Sequence, residues 1–404
     1  MSISSPLSRP SSSKKPAMSP VNLGSMPTKH FSHITRYLDE ATFLSLRQVS
    51  RRMHYLVEPM TEAIFARYLE TVETNLSYHS LLRIHCDLAW PRGNPLAALV
   101  KRLVIRYPYT GPNSPFNRLA LSSEIEDPLA LPELWALRCD LVTAFTECRD
   151  FEFHLDEPAD WPVDCIHAGD VVRVMFTIFN DAGIPLERLK IHTSLRSAPI
   201  LEQPTTTPYQ VLQLPNWTVP TLYPEVLRGL RVLYLHDDYF REYRGTSIVW
   251  ELLEGTPALE ELRIVGRGRK HPTGNTLEAL STARLASARI RVFSVRKIES
   301  TAEILRTCIR KMAVRGLEML ELRDLMLTTR ATGESWEEVL QSVWRMCVDL
   351  TRINFRNLGA RDERTGGVRR LLQTGCRLTV SVRQMVLEQL VEKARRMRMG
   401  GAVQ

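Results

Sequence analysis

Leu317-Glu318-Met319-Leu320-Glu321-Leu322-Arg323 decides how this chain is read, because segments built like it return along the sequence. The apolar spacing recurs as Val100-x-x-Leu103-x-Ile105, Cys148-x-x-Phe151-x-Phe153, Leu186-x-x-Leu189-x-Ile191, Leu230-x-x-Leu233-x-Leu235, Leu259-x-x-Leu262-x-Ile264, Ile290-x-x-Phe293-x-Val295 and Leu350-x-x-Ile353-x-Phe355. In a chain that is 44% apolar, such a match arises by chance in roughly 8% of windows, so about thirty would occur and the pattern alone decides nothing. The period decides more. From Leu230 onward the segments start 29, 31, 27 and 33 residues apart, with an amphipathic helix between successive starts. Ile248, Val249, Leu252 and Leu253 stop at Gly255 and Pro257. Ser300-x-x-Glu303 and Ser335-x-x-Glu338 read as capping boxes, opening helices that carry Ile304, Leu305, Cys308, Ile309 and Met312, and Val339, Leu340, Val343, Trp344 and Cys347. Strand, loop and helix at a near-constant period predict an α/β fold: a stacked solenoid with a parallel sheet.

Outward from that region the pattern loosens. Leu186 and Leu230 are separated by 44 residues, with a Pro-rich insertion from Pro199 to Pro224 that reads as a floppy loop. Ile64, Phe65, Tyr68, Leu69 and Val72 have helical spacing, whereas Leu96 to Ile105 passes from a short helix into a strand, and Pro108, Gly111, Pro112 and Pro115 mark a loop. At the other end, Leu378 to Val382 reads as a strand, followed by a helix with Met385, Leu387, Leu390 and Val391 that caps the last repeat.

Residues 26–57 form a separate pattern. Phe31, Ile34 and Leu38 share one side of a helix that starts after Pro27, Asp39 is placed to cap the next helix, and Phe43 with Leu44 makes a short apolar turn. A third helix carries Leu46, Val49, Met53, Leu56 and Val57 and stops before Pro59. Units below roughly 40 residues seldom stabilise themselves without disulfides or metal, so another surface is expected to cover the surplus apolar side chains.

Two family resemblances follow from these residues. Met26-Pro27, Ile34, Tyr37-Leu38, Leu44 with Leu46, and Val49-Ser50-Arg51-Arg52-Met53 resemble an F-box, with Met26 in place of the usual Leu and Met53 in place of the usual Trp. The resemblance implies docking on the Skp-type adaptor of a cullin-RING ubiquitin ligase, through Pro27, Ile34, Leu38, Leu44, Val49 and Met53. The later region resembles a divergent leucine-rich-repeat array, a frequent companion of F-boxes. Where many such repeats carry Asn or Cys, this chain has Ser194, Asp238, Arg267, Ile298, Leu325 and Leu358, so an asparagine ladder is not expected. The implied organisation is a tail at 1–25, an F-box-like module at 26–60 and a solenoid at 61–404.

Composition narrows the classes. The 404 residues carry a formal net charge of +8, which fits an acidic partner without identifying it. Residues 1–25 hold Arg9, Lys14 and Lys15, no acid, and many Ser and Pro residues; such a stretch is expected to be disordered. Its prolines at 6, 10, 16 and 20 oppose the amphipathic helix of an organelle transit peptide. No apolar run approaches a membrane span, and no charged start followed by an apolar stretch marks a secretory signal, so cytosol or nucleus is expected. The seven cysteines lack Cys-x-x-Cys spacing and read as core residues of a reducing compartment. The ten histidines form no ligand set with them, and His30 and His33 read as ordinary helix positions, so neither a metal nor a cofactor is expected.

Catalytic motifs are missing: the sequence has no Gly-x-Ser-x-Gly elbow, no His-Glu-x-x-His, no phosphate loop and no zinc-spaced cluster that would make a RING. Gly266-Arg267-Gly268-Arg269-Lys270 reads as a solvated connection. The expected role is therefore non-catalytic. Alternation within each strand puts the residue after the last apolar position on the open face, where the series reads Arg106, His154, His192, His236, Val265, Arg296, Arg323 and Arg356. Neighbouring strands lie about 4.8 Å apart, so this column either is neutralised by acids such as Glu321 and Asp324 or receives an acidic or phosphorylated target segment. Target-binding candidates are His192, His236, Arg296, Arg323 and Arg356. The sequence reading is a substrate-recognition subunit of an SCF-type ligase. Its rivals are an interaction scaffold working without the cullin and a nucleic-acid-binding solenoid, the last disfavoured because aromatics are 7% of the chain and not interleaved with the basic column.

Overall fold

The computed structural model describes residues 26–35, 37–57, 69–89, 96–107, 128–157, 168–195, 224–236, 252–266, 274–285, 289–329, 335–362, 368–372, 376–378 and 383–399. The expected tail at 1–25, the loops at 108–115 and 199–223, the helical residues Ile64, Phe65, Tyr68, Ile248 and Val249, and the connection 267–270 lie outside the described residues. The chain divides into two compact units, Met1–Tyr68 and Leu69–Gln404. No helix among the described residues is long and apolar enough to cross a membrane.

In the first unit, helices span Thr28–Thr35 and Glu40–Val49, and residues 51–57 are helical. Asp39 caps the second helix as expected, its carboxylate accepting from the Thr42 backbone N–H at 2.7 Å. Phe43 and Leu44 sit inside that helix and make no turn; the chain breaks later, at extended Ser50, whose hydroxyl accepts from the Met53 N–H at 3.2 Å and opens the third helix. Phe31, Phe43, Met53 and Val57 form a small buried core, with Met26, Leu38, Leu46 and Leu56 against it.

Among the described residues, the second unit is built on a ten-stranded sheet. In chain order its strands are β1 (Thr71–Thr74), β2 (Arg102–Tyr107), β3 (Asp150–Glu157), β4 (Arg188–Leu195), β5 (Val232–His236), β6 (Glu261–Val265), β7 (Val292–Arg296), β9 (Met319–Arg323), β11 (Arg352–Arg356) and β14 (Cys376–Leu378). Every neighbouring pair is parallel except the last, where β14 runs antiparallel along β11. The eight predicted segments are eight adjacent strands of this sheet, β2 to β7 with β9 and β11, and each of their three apolar positions is at most 2% exposed. Stacking is what buries them: Phe151, Leu189, Leu233, Leu262, Phe293, Leu320 and Ile353 occupy one register row, and Phe153, Ile191, Leu235, Ile264, Val295, Leu322 and Phe355 the next inward row. A leucine or phenylalanine so buried contributes roughly 1.5–3 kcal/mol relative to exposure.

β1 departs from the sequence reading. Val72 lies in a strand paired with Leu103, while Thr74, also facing inward, is satisfied by Ser80 and by the Leu76 N–H. A polar inward residue hid that strand. A second, smaller sheet was not foreseen either: β8 (Glu299–Ser300), β10 (Met326–Thr329), β12 (Leu358–Asp362) and β13 (Val368–Leu372) pair in the order β13-β12-β10-β8. Helices Gly274–Thr282, Ala302–Ala313, Trp336–Met346 and Arg383–Met399 pack in sequence against one another. Thr301 caps the second of these through the Ile304 N–H at 3.3 Å, because Ser300 is committed to β8; Ser335 is the N-cap of the third, but its hydroxyl makes no capping bond. Of the C-terminal strand expected at Leu378 to Val382, residues 379–382 lie outside the described residues, and Leu378 itself belongs to the short reversed β14.

Between the two sheets the chain turns at Lys297, Asp324 and Asn357, all left-handed with φ of 55°, 53° and 52°. At the matching place in the preceding repeat stands Gly266, where a Cβ would lie 2.5 Å from the Lys297 carbonyl oxygen. These turns form their own ladder: Gly266 N–H donates to Arg296 O at 2.8 Å, Lys297 N–H to Arg323 O at 2.9 Å and Asp324 N–H to Arg356 O at 2.8 Å. Ile298, Leu325 and Leu358 follow, at most 2% exposed. In these three repeats apolar plugs stand where an asparagine ladder would run. Of the described cysteines, Cys148, Cys308 and Cys347 are buried free thiols, and burial pushes those of Cys148 and Cys308 up to about 12.

Gly266→Ala drives a methyl into the adjoining backbone and is expected to lower stability by about 1–3 kcal/mol, read as a lower urea midpoint. Lys297→Gly, which relieves a left-handed side chain at the equivalent turn, should leave the midpoint unchanged or raise it.

Candidate functional site

On the open face, each strand presents a middle residue and a following residue, and two buried or half-buried carboxylates organise what surrounds them. The first is Glu321 on β9, 2% exposed. Its oxygens receive Ser294 Oγ at 2.6 Å, Asn354 Nδ2 at 2.8 Å, and Arg296 Nη2 at 2.6 Å and Nε at 3.2 Å, while Arg323 Nε lies 2.6 Å away. Parallel pairing produces this convergence, since Ser294, Glu321 and Asn354 share one row of β7, β9 and β11. Burial pushes the Glu321 carboxyl up, but the Ser294 and Arg296 bonds and the Arg296 and Arg323 charges outweigh it and hold the group below its ordinary value of 4.5.

Two of the target-binding candidates thus have a partner within the sheet. Arg296 and Arg323 answer a carboxylate of the same sheet, and the local acid doing so is Glu321; the Asp324 carboxylate instead accepts from Asn357 Nδ2 at 2.8 Å. Arg106 pairs with Glu73 at 2.6 Å. Arg356 is exposed and forms no ion pair with a carboxylate among the described residues.

The second carboxylate is Glu152 on β3. Its Oε2 accepts from Lys190 Nζ at 2.9 Å; its Oε1 lies 2.8 Å from His154 Nε2 and 3.4 Å from His192 Nε2. The two imidazoles are register partners on β3 and β4 and stack with centroids 4.5 Å apart and planes 7° from parallel. Tyr234 on β5 lies beyond, its ring 4.7 Å from that of His192. Burial first, then the nearby His154 charge, pulls the His192 pKa down to about 4, so the ring is neutral near pH 7. Burial raises Glu152, but Lys190 and His154 bonding more than reverses this and brings it to about 2. His236 ends β5 next to this cluster, and its charge also disfavours a charged His192.

Sequence reasoning put His154 and His192 in one column and found no ligand set. It missed that Glu152, the residue between the two apolar positions of β3, reaches both rings. The signal was Glu-x-His in one segment aligned with Lys-x-His in the next. Sequence reasoning also missed a rim of exposed pairs at the strand starts: Arg231 holds Glu260 through two bonds of 3.0 Å, and Arg291 holds Glu318 at 2.7 and 2.8 Å.

In the first unit, Pro27, Ile34 and Val49 are exposed, the last two by 39% and 70%, whereas Leu38 is partly buried and Met53 is 4% exposed inside the small core. The Leu44 side chain lies outside the described residues. Met53 therefore fills the interior where the expected contact would need it outside.

No protein-family model matches the chain, and no curated protein does. Among solved structures it is similar to the leucine-rich repeat-containing protein LegL7 from Legionella pneumophila, with 11% identity, coverage of 80% of this chain and 97% of that chain, and a TM-score of 0.25.

Glu321→Ala leaves two half-buried guanidinium groups unanswered and should cost about 3–5 kcal/mol in chemical denaturation. The folded state holds the Glu321 proton less tightly than the unfolded chain, so this stabilisation is complete above the unfolded carboxyl value near 4.5 and fades as pH falls through the lower folded value. Denaturation of wild type and Glu321→Gln from pH 7 to pH 3 should show their stability gap narrowing toward acid.

Proposed function

We propose that this protein is the substrate-recognition subunit of an SCF-type cullin-RING ubiquitin ligase, docking on the Skp-type adaptor through the helices of residues 26–57 and holding its target on the open face of the large sheet. The observation that carries the reading is the division of apolar residues in the first unit. Phe31, Phe43, Met53 and Val57 satisfy one another, while Ile34, Tyr37, Val49 and Tyr55 stay exposed on so small a body. Exposed apolar side chains of that density are a docking surface, and they include the Ile34 and Val49 positions of the F-box pattern. Pro27 sets the start of the helix bearing Ile34, and Leu38 and Met53 act from beneath by fixing the helices. Such a subunit contributes proximity, with no covalent step on its own residues. The same reading puts the protein in the cytosol or nucleus.

For the target, the cations left available on the open face favour an acidic or phosphorylated segment. Arg356 is the side chain assigned to grip it, because a guanidinium binds carboxylate or phosphate bidentately. His192 and His236 lie farther along the same face, while Arg296 and Arg323 are engaged with Glu321 and shape the surface between them.

Co-expression with adaptor and cullin tests the docking half. The wild-type chain should pull down both, and Ile34→Asp with Val49→Asp should lose both while its circular dichroism stays unchanged. Recovery of adaptor without cullin would replace the ligase role with a scaffold role, salt-sensitive retention on nucleic acid would favour a nucleic-acid-binding solenoid, and recovery of neither protein partner would end the proposal. For the target half, Arg356→Glu should weaken capture of acidic or phosphorylated peptides at least tenfold without touching adaptor binding.

A further inference from the structure

The geometry points to a divalent transition-metal site on the open face, made by Glu152 of β3, His154 of β3 and His192 of β4. This inference does not depend on the ligase reading, since it rests on three side chains of the second unit alone. Their donor atoms all lie within 4.8 Å of one another. Two imidazoles and one carboxylate on a common face form the donor set that divalent first-row ions accept while keeping positions open for further ligands.

The distances suit such an ion. Metal–ligand bonds of about 2.0–2.2 Å at tetrahedral or octahedral angles place donor atoms about 3.0–3.5 Å apart. Glu152 Oε1 already stands 2.8 Å from His154 Nε2 and 3.4 Å from His192 Nε2. The rings are nearly parallel, so their lone pairs meet at one point only after the imidazoles splay about χ2, a broad and soft torsion. That is a rotation in place, with no change in the backbone, because register pairing of His154 with His192 fixes both Cα atoms.

A second feature marks the place. His192 Nε2 is shielded from solvent, yet it makes no hydrogen bond among the described residues. A shielded imidazole nitrogen with no such partner is costly unless something answers it. Glu152 does so incompletely at 3.4 Å, and a metal would do so fully. Lys190 engages Oε2, which fixes the carboxylate so that Oε1 turns toward the two rings, the positioning role that outer groups serve around metal ligands. Its ammonium also repels a cation, which weakens the site relative to one without it. Tyr234 flanks His192 and walls the site on the β5 side. The open positions would take water or a carboxylate of whatever occupies the sheet.

The full chain, purified with chelator and reduced, is titrated with Zn2+ by calorimetry at pH 7.5, beside His154→Ala, His192→Ala, Glu152→Gln and the control His30→Ala in the first unit. Binding of about one Zn2+, weakened tenfold or more in the three site variants and unchanged in the control, is the expected result. Equal binding in all chains, or none in wild type, overturns the site. Co2+ substitution guards against variants that misfold: wild-type protein should give a visible d–d spectrum without thiolate charge transfer. A thiolate band would assign the metal to cysteines and remove the proposal.

Discussion

A strand of five residues offers the interior two side chains, and neither is covered until a neighbour lies alongside and a helix closes from behind. In the Leu69–Gln404 unit that condition is met row by row, with Phe293 on Leu320 on Ile353 and Val295 on Leu322 on Phe355. Stability in such a stack resides in contacts between successive repeats more than within any one of them. The same condition fixes register: a slip of one residue would carry Leu320 and Leu322 onto the open face and bury Met319, Glu321 and Arg323. Everything on that face inherits its position from the apolar rows beneath.

Charges are therefore forced into proximity, and the sheet resolves this in two places by one device. A carboxylate in a middle row collects donors from its own strand and from its neighbours: Glu321 gathers Ser294, Arg296, Arg323 and Asn354, and Glu152 gathers His154, His192 and Lys190. The outcomes differ because the donors differ. A guanidinium has no lone pair to give, so the Glu321 cluster is closed and structural. A neutral imidazole has one, so the Glu152 cluster remains able to take a cation.

Much of this architecture is legible in the residues. The eight strands were visible because the same three inward apolar positions recur in each, at a near-constant period from Leu230 onward and at looser spacing before it. β1 was not, since Thr74 takes an inward place that a side-chain hydrogen bond makes tolerable. The smaller sheet escaped because its strands, Glu299–Ser300, Met326–Thr329, Leu358–Asp362 and Val368–Leu372, share no recurring apolar spacing that would align them with one another. The shift of a helix cap from Ser300 to Thr301 has the same origin, a two-residue strand that claims Ser300. At the candidate site, the His154 and His192 column could be aligned by eye, but the reach of Glu152 across to the next strand depends on rotamers that no spacing encodes. Whether Arg296 and Arg323 would be answered by Glu321 or left for a target stayed open in the sequence, because the depth of Glu321 beneath them is a property of packing.

Both sheets end on a strand that runs backward: β14 lies antiparallel on β11, and β13 antiparallel on β12, with the helix Arg383–Met399 burying Leu387, Leu390 and Ala394 behind them. A parallel repeat can template another only on an edge that points its own way. By reversing direction, the chain withdraws that template on this side, so an array of this kind would lengthen by duplication of an interior unit and not by accretion beyond β11.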